Sequence, residues 1–234
     1  MLQPGLNVLD VGCGTGSITA GIARAVGPAG QVIGIDRDES LLDIARNEHA
    51  TISNLRFQAG DATCLPHRGQ FDIVTSARCL QWIAQPERAV ASMTQAAKPG
   101  GLLVILDYNH AGSEWQPGPP AEFKQFYSAL LAWREANGWD NDMGDHLPEI
   151  FQRLGLVEIE THVQDETTER GDPDFAERTG IWSEVIESLS KQLIEAGYST
   201  QSQLEKAREC YQRWAEIELM HQTLALRAVT GKVP

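Results

Sequence analysis

Long apolar runs are missing from this chain of 234 residues. No stretch reaches the roughly 20 residues that a membrane-spanning helix needs, so no transmembrane segment is expected. Cysteine is scarce. The four residues, Cys13, Cys64, Cys79 and Cys210, share no spacing of a metal clip or a redox pair. They read as reduced thiols of a cytoplasmic protein, and no metal site is expected. Positive charge is short as well: 19 Lys and Arg against 32 Asp and Glu give a formal net charge of −13. Such a surface repels phosphate backbones, so nucleic acid and anionic membranes are poor partners. Internal repeats and low-complexity tails are absent. Met1 is followed almost at once by a strand pattern, and no signal peptide is visible.

The residues that are present are arranged around Val8 to Thr19, VLDVGCGTGSIT. Val8, Leu9 and Val11 read as a buried strand, Gly12-Cys13-Gly14-Thr15-Gly16 as a turn, and Ser17 onward as a helix with Ile18, Ile22 and Val26 on one face. Alternate glycines let the backbone take positive φ and let a ligand approach with no Cβ in the way. The free N–H groups of the helix start favour a polar ligand group. Cys13 sits where a small residue is needed and is given a packing role.

The dinucleotide fingerprint is G-x-G-x-x-G with a pyrophosphate on the helix start. Here Ser17 stands in place of the third glycine, and Asp10 lies two residues before the first. An acid there would repel a pyrophosphate and suits a ligand carrying an ammonium group. The stretch resembles motif I of the class I S-adenosylmethionine-dependent methyltransferases. The competing reading is an NAD-type oxidoreductase, and a third is a binding module without chemistry.

The first half alternates strand and helix as a doubly wound sheet does. Strands are expected at Gln31–Asp36, about Leu55–Gln58, Phe71–Thr75 and Leu102–Leu106, near-continuous apolar runs of the kind covered on both faces. Helices are expected from about Glu39, capped by Asp38, and from about Pro86 to Ala97. Ligands of such sheets bind beyond the carboxyl ends of the strands. There stand Asp10, Asp36, Asp61, Ser76, Arg78, Asp107 and Tyr108, four acids among them in register at one edge.

Asp36, 20 residues after Gly16, is placed to accept both hydroxyls of a ribose, with Arg37 beside it. Both candidate cofactors carry that ribose. The resemblance separates them at Gly60-Asp61-Ala62, where the family presents an acid to the adenine amino group and a backbone N–H nearby. It also assigns Asp10 to the methionine end of the cofactor, and Lys98-Pro99-Gly100-Gly101 matches the family's LKPGG turn. The cofactor implied is S-adenosyl-L-methionine, leaving as S-adenosyl-L-homocysteine. Its contacts are expected at Asp10, Gly12, Cys13, Gly14, Gly16, Asp36, Arg37, Asp61, Ala62 and Ser76. The broad likeness is to the ubiquinone/menaquinone-type, "type 11" methyltransferases. It implies an α/β, Rossmann-like sheet of seven strands in the order 3-2-1-4-5-7-6, with strand 7 antiparallel.

The second half departs from regular alternation. A helix is expected over about Ala121–Glu135, another over about Leu147–Leu154 capped by Asp145, and a strand over Leu156–Val163. A long helix is read from Asp172 as cap with Pro173 at its first position, and a last helix from the Thr200-x-x-Gln203 capping box. Gln222–Val229 reads as a final strand. A single domain over 1–234 is therefore expected, with additions at 109–145 and 165–220. They are read as a substrate cover, with a homodimer contact as the other use open to them. Relatives carry helices before the first strand, and here either the additions replace that cover or it lies outside this sequence.

Methyl transfer to a small molecule needs alignment above all. A base is required only where the acceptor carries a proton near neutral pH. His110, His146 and Tyr108 are the candidates, Arg78, Trp82 and Trp115 the candidate substrate contacts. Trp115, Phe123, Phe126, Tyr127, Trp133 and Trp139 could line an apolar pocket, though most are expected to be core.

Overall fold

A computed structural model describes residues 2–234. In chain order the elements are β1 (Asn7–Val11), α1 (Ser17–Val26), β2 (Gln31–Asp36), α2 (Glu39–Glu48), β3 (Leu55–Ala59), β4 (Phe71–Ala77), α3 (Pro86–Ala96) and β5 (Ala97–Tyr108). There follow β6 (Glu114–Gln116), α4 (Ala121–Ala136), α5 (Met143–Arg153), β7 (Val157–Val163) and β8 (Glu166–Glu169). The chain ends with α6 (Phe175–Glu195), α7 (Gln201–Ile217), β9 (His221–Leu224) and β10 (Leu226–Lys232).

One sheet has seven strands in the order β3-β2-β1-β4-β5-β10-β7. Its first five pair in parallel, and β10 runs antiparallel to β7. With β7 as sixth and β10 as seventh strand, this is the order the resemblance implied. Successive residues of β1 serve opposite faces. Val8 packs with Ala23 and Val26 of α1, whereas Leu9 and Val11 pack with Val90 and Met93 of α3 and Leu147 and Phe151 of α5. The three apolar residues of β1, Val8, Leu9 and Val11, are thus all buried, and each such side chain contributes about 1.5–3 kcal/mol. Asp38 caps α2 by accepting from the Ser40 N–H at 2.9 Å, as the sequence indicated.

The chain divides into two compact units. The first runs through Asp107 and takes in Met143–Val163 and Arg227–Pro234; the second is Tyr108–Asp142 with Gln164–Leu226. The two stretches read from sequence as separate additions fall mostly in that second unit. There α4, α6 and α7 pack together, and Phe123 stacks 4.4 Å from Tyr211 and Tyr127 lies 5.2 Å from Trp182, ring to ring. The Thr200/Gln203 capping box forms at the start of α7. At its far end the Arg170 guanidinium donates to the carbonyls of Ala215, Glu216 and Leu219, groups a helix terminus leaves unpaired. No helix among the described residues is long and apolar enough to cross a membrane.

Three local expectations are corrected. Gln222–Val229 is not one strand: β9 joins a small sheet ordered β6-β9-β8, and β10 enters the large one. That small sheet was invisible in the sequence because its strands are three or four residues long. Asp172 does not cap α6, which starts at Phe175; its carboxylate accepts from the Glu169 N–H at 2.9 Å instead. Nor does Asp145 cap α5. That helix starts at Met143 with Pro148 inside it, and Asp145 pairs with Arg227 at 3.2 Å. Proline near a helix start marks the first turn only roughly, since several early N–H groups have no helical partner.

Candidate cofactor-binding site

The turn after β1 is held by backbone bonds. Gly12 N–H donates to the Ile35 carbonyl at 2.7 Å and Gly16 N–H to the Cys13 carbonyl at 2.9 Å. Gly12, Gly14 and Gly16 all take positive φ, 75, 52 and 79°. Their missing side chains serve different ends. A Cβ at Gly12 would stand 2.3 Å from Cys79 Sγ, and one at Gly16 would stand 2.5 Å from the Phe57 ring. These two glycines make room for protein. A Cβ at Gly14 would meet nothing within 4 Å. Only there does the bare backbone face open space, which is what a ligand-cradling glycine requires. Half-buried Cys13 directs its Sγ toward Gly34, where an added Cβ would lie 2.9 Å away.

Two carboxylates stand at this turn. Asp36, at the end of β2, accepts from the Gly14 N–H at 2.8 Å and the Asp38 N–H at 3.0 Å. One acid therefore shapes the loop and marks its open side. Asp10 is buried, 2% exposed, and takes a hydrogen bond from the Thr19 hydroxyl at 2.6 Å. Burial pushes its carboxyl up to about 6, against the Thr19 bond, with the charge of Asp36 adding to the rise. The site is anionic and suits a ligand with a positive end.

Asp61 follows β3, exposed, and caps the single turn Ala62–Cys64. Its Oδ1 accepts from both the Thr63 N–H at 2.7 Å and the Thr63 hydroxyl at 2.8 Å. These bonds hold its carboxyl below the usual carboxylate range. Arg37 is exposed beside Asp36, and its charge adds to the lowering at Asp61. Ser76 is buried at the end of β4, and its hydroxyl donates to the Val11 carbonyl at 2.8 Å. Its side chain thus ties β4 to β1.

The segment after β4 is locked to the same turn. Arg78 takes a φ of 57°, uncommon for a side-chain-bearing residue, while its N–H donates to the Leu106 carbonyl at 2.7 Å. Asp107, fully buried, accepts from the Gln81 N–H at 3.1 Å. Cys79 fills the space at Gly12, and burial pushes its thiol up to about 12. Arg78 itself is exposed and Trp82 half-buried in the single turn Leu80–Trp82. Local sequence gave no signal for Thr19, Cys79, Phe57 or His49, whose Nε2 lies 3.2 Å from the Thr15 carbonyl. Each meets the turn only through the fold.

Comparison with known proteins decides the family. The sequence model of a family described as a methyltransferase domain matches residues 2–155. Demethylmenaquinone methyltransferase of Staphylococcus aureus is 37% identical over 177 residues, covering 68% of this chain and 70% of that protein. The chain belongs to the S-adenosylmethionine-dependent methyltransferase family. The NAD-type reading falls with that assignment.

Two solved structures show how far the fold of this methyltransferase extends. Phosphoethanolamine N-methyltransferase 2 of Haemonchus contortus superposes with a TM-score of 0.62 at 20% identity, covering all of this chain and 50% of that one. A SAM-dependent methyltransferase of Aquifex aeolicus gives 0.56 at 16% identity, over 100% of this chain and 85% of that one.

The candidate catalytic residues fall in different units. In the first unit of the methyltransferase His146 is exposed in the first turn of α5. In the second unit Tyr108 and His110 stack with ring centres 5.6 Å apart. His110 Nδ1 lies 3.3 Å from the Tyr127 hydroxyl, which also donates to the His110 carbonyl at 3.0 Å. Burial, and next the charge of Arg134, push its imidazole down to about 3. At pH 7 it is neutral and holds a proton poorly. Trp115 donates from Nε1 to Gln222 Oε1 at 3.0 Å and packs edge-on against Phe123, Tyr127 and Trp182. That makes it part of the aromatic core of the second unit. Phe123, Phe126 and Trp133 are buried as core too. Among the described residues no group of His, Cys, Asp and Glu could hold a metal ion.

Proposed function

We propose that the protein transfers a methyl group from S-adenosylmethionine to a small-molecule acceptor, with the first unit's glycine turn as the cofactor cradle. The open face at Gly14, bordered by Asp36, is the observation that carries this reading of the site. When bound, the cofactor supplies an electrophilic methyl on a sulfonium. Asp36 would hold the ribose hydroxyls on carboxylate lone pairs that its two backbone bonds leave over. Asp10 would face the ammonium end and Asp61 the adenine amino group, with Ala62 N–H nearby. Arg37 borders this side. Gly12, Gly16, Cys13 and Ser76 act by shaping the turn.

Transfer of this kind discharges the sulfonium, so a dry site and alignment matter most. Positioning supplies about 7–11 kcal/mol in favourable cases. Neutral His110 is suited to accept a hydrogen bond, and exposed His146 is the better candidate for moving a proton. Arg78 and Trp82 are proposed as acceptor contacts. The acceptor is read as partly apolar, and demethylmenaquinone, named for the Staphylococcus relative, is the first to assay. A cytoplasmic location is the reading of the cysteine usage.

The deciding experiment is calorimetric titration with S-adenosylhomocysteine, with NAD in a parallel cell. Micromolar binding of the first and none of the second is expected. Binding of NAD alone would overturn the site, and S-adenosylhomocysteine bound equally by a Gly14→Ala variant would move it elsewhere.

A further inference from the structure

The seven-stranded sheet ends on β7, and among the described residues no strand lies along its outer side. Backbone groups of an antiparallel strand alternate in direction. Gln164 N–H donates to the Leu226 carbonyl at 3.0 Å, and Val163 and Thr161 stand opposite Arg227 and Val229. Even-numbered residues therefore turn their N–H and C=O toward β10. Ile159, Thr161 and Val163 turn theirs away from the sheet. Val163 is 64% exposed and Val157 47%, large apolar side chains at an open edge.

We propose that this edge pairs with β7 of a second copy of the chain, antiparallel about a two-fold axis at Thr161, joining two sheets into one. The sequence of the strand is self-complementary in that register alone. Thr161 meets Thr161, Ile159 meets Val163, and Glu160 meets His162, the last two pairs each occurring twice by symmetry. Moving the axis to Glu160 sets Glu160 against itself, and moving it to His162 sets Glu160 against Gln164 and loses both Glu160–His162 pairs. Axes at Ile159 or Val163 set Glu160 against Glu158 or Glu166. Like charges directly opposite are destabilising. Within one strand His162 Nε2 already lies 3.4 Å from Glu160 Oε2, so the second copy brings the same pair reversed. The ladder is also given a length. Glu158 takes a φ of 50° and the β7–β10 register shifts between Thr230 and Lys232, a bulge that stops regular pairing beyond Ile159. Pairing is confined to Ile159–Val163, long enough for a specific contact and too short to template a growing edge.

Sedimentation velocity on the whole chain tests this, at a concentration on the order of 100 µM because so short an interface is at the weak end of the range. The wild type is expected to sediment as a dimer. Thr161→Pro removes an N–H that β10 does not use, a position where an edge strand tolerates proline. It is expected to weaken the dimer by about tenfold or more. Glu160→Lys is expected to weaken it too, and Glu160→Lys with His162→Glu to restore it. Unchanged S-adenosylhomocysteine affinity in Thr161→Pro shows that the first unit is folded; if it is lost, the charge-swapped pair decides alone. A monomeric wild type, a dimer indifferent to Thr161→Pro, or a double variant no tighter than Glu160→Lys would overturn the proposal.

Discussion

Replacing Asp10 by Asn should make the empty protein more stable and its cofactor binding worse. The carboxyl is 2% exposed and is pushed from an ordinary 3.8 up to about 6, chiefly by burial. A folded-state value above the unfolded one means that the folded chain binds the proton more tightly. Stability is then lost as pH rises from about 4 to about 6, and the full penalty applies above that. The distance between the two values corresponds to about 3 kcal/mol. Asparagine keeps an oxygen to accept from Thr19 and carries no charge, so it escapes the penalty. Urea unfolding should therefore show Asp10→Asn more stable than wild type by up to about 3 kcal/mol at pH 7.5 and by nearly nothing at pH 4. In the same samples S-adenosylhomocysteine should bind about 1.5–3 kcal/mol more weakly, the scale of a charged hydrogen bond. A gain in stability that is the same at both pH values would refute the burial argument. Unchanged ligand affinity would remove Asp10 from the methionine end. A residue kept at a cost to the fold is expected where function requires it.

The other predictions concern the same turn and its neighbours. Gly14→Ala should lose ligand affinity and be destabilised only by the cost of alanine at positive φ, about 1–2 kcal/mol, whereas Gly12→Ala and Gly16→Ala should unfold earlier still because their Cβ atoms also meet Cys79 and Phe57. Similar behaviour in all three variants would mean that the open face at Gly14 has no special role. Asp36→Ala should weaken S-adenosylhomocysteine binding by about 1.5–3 kcal/mol, measured by calorimetry, and equal affinity would sink the ribose assignment. His146→Ala should lower kcat and leave cofactor affinity alone, while full turnover would take His146 off the list. Toward iodoacetamide at pH 8, exposed Cys64 should react in the native protein and Cys13 and Cys79 only after unfolding; rapid native labelling of Cys79 would contradict its place against Gly12.

The sheet order and the glycine turn were both legible in the residues alone. The apolar residues of the Val8–Val11 and Leu102–Leu106 runs become parallel strands with Val8, Leu9, Val11, Leu103 and Ile105 buried and Leu102, Val104 and Leu106 half-buried, and that signal is local. The G-x-G-x-G turn and the acids at 10, 36 and 61 are legible because strand ends in this fold face one edge. The tertiary structure decided which glycine is open. Gly12, Gly14 and Gly16 are alike in sequence, and only the placement of Cys79 and Phe57, from β3 and the segment after β4, tells them apart. It decided that the side chain of Ser76 is spent on the Val11 carbonyl, and that Asp10 lies beneath the turn with Thr19 as partner. It also divided Gln222–Val229 between two sheets and put His110 and His146 in different units. Pairing partners of short strands, and the burial that sets a carboxyl at about 6 or an imidazole at about 3, come from residues far apart in the chain. No periodicity in the sequence carries that information.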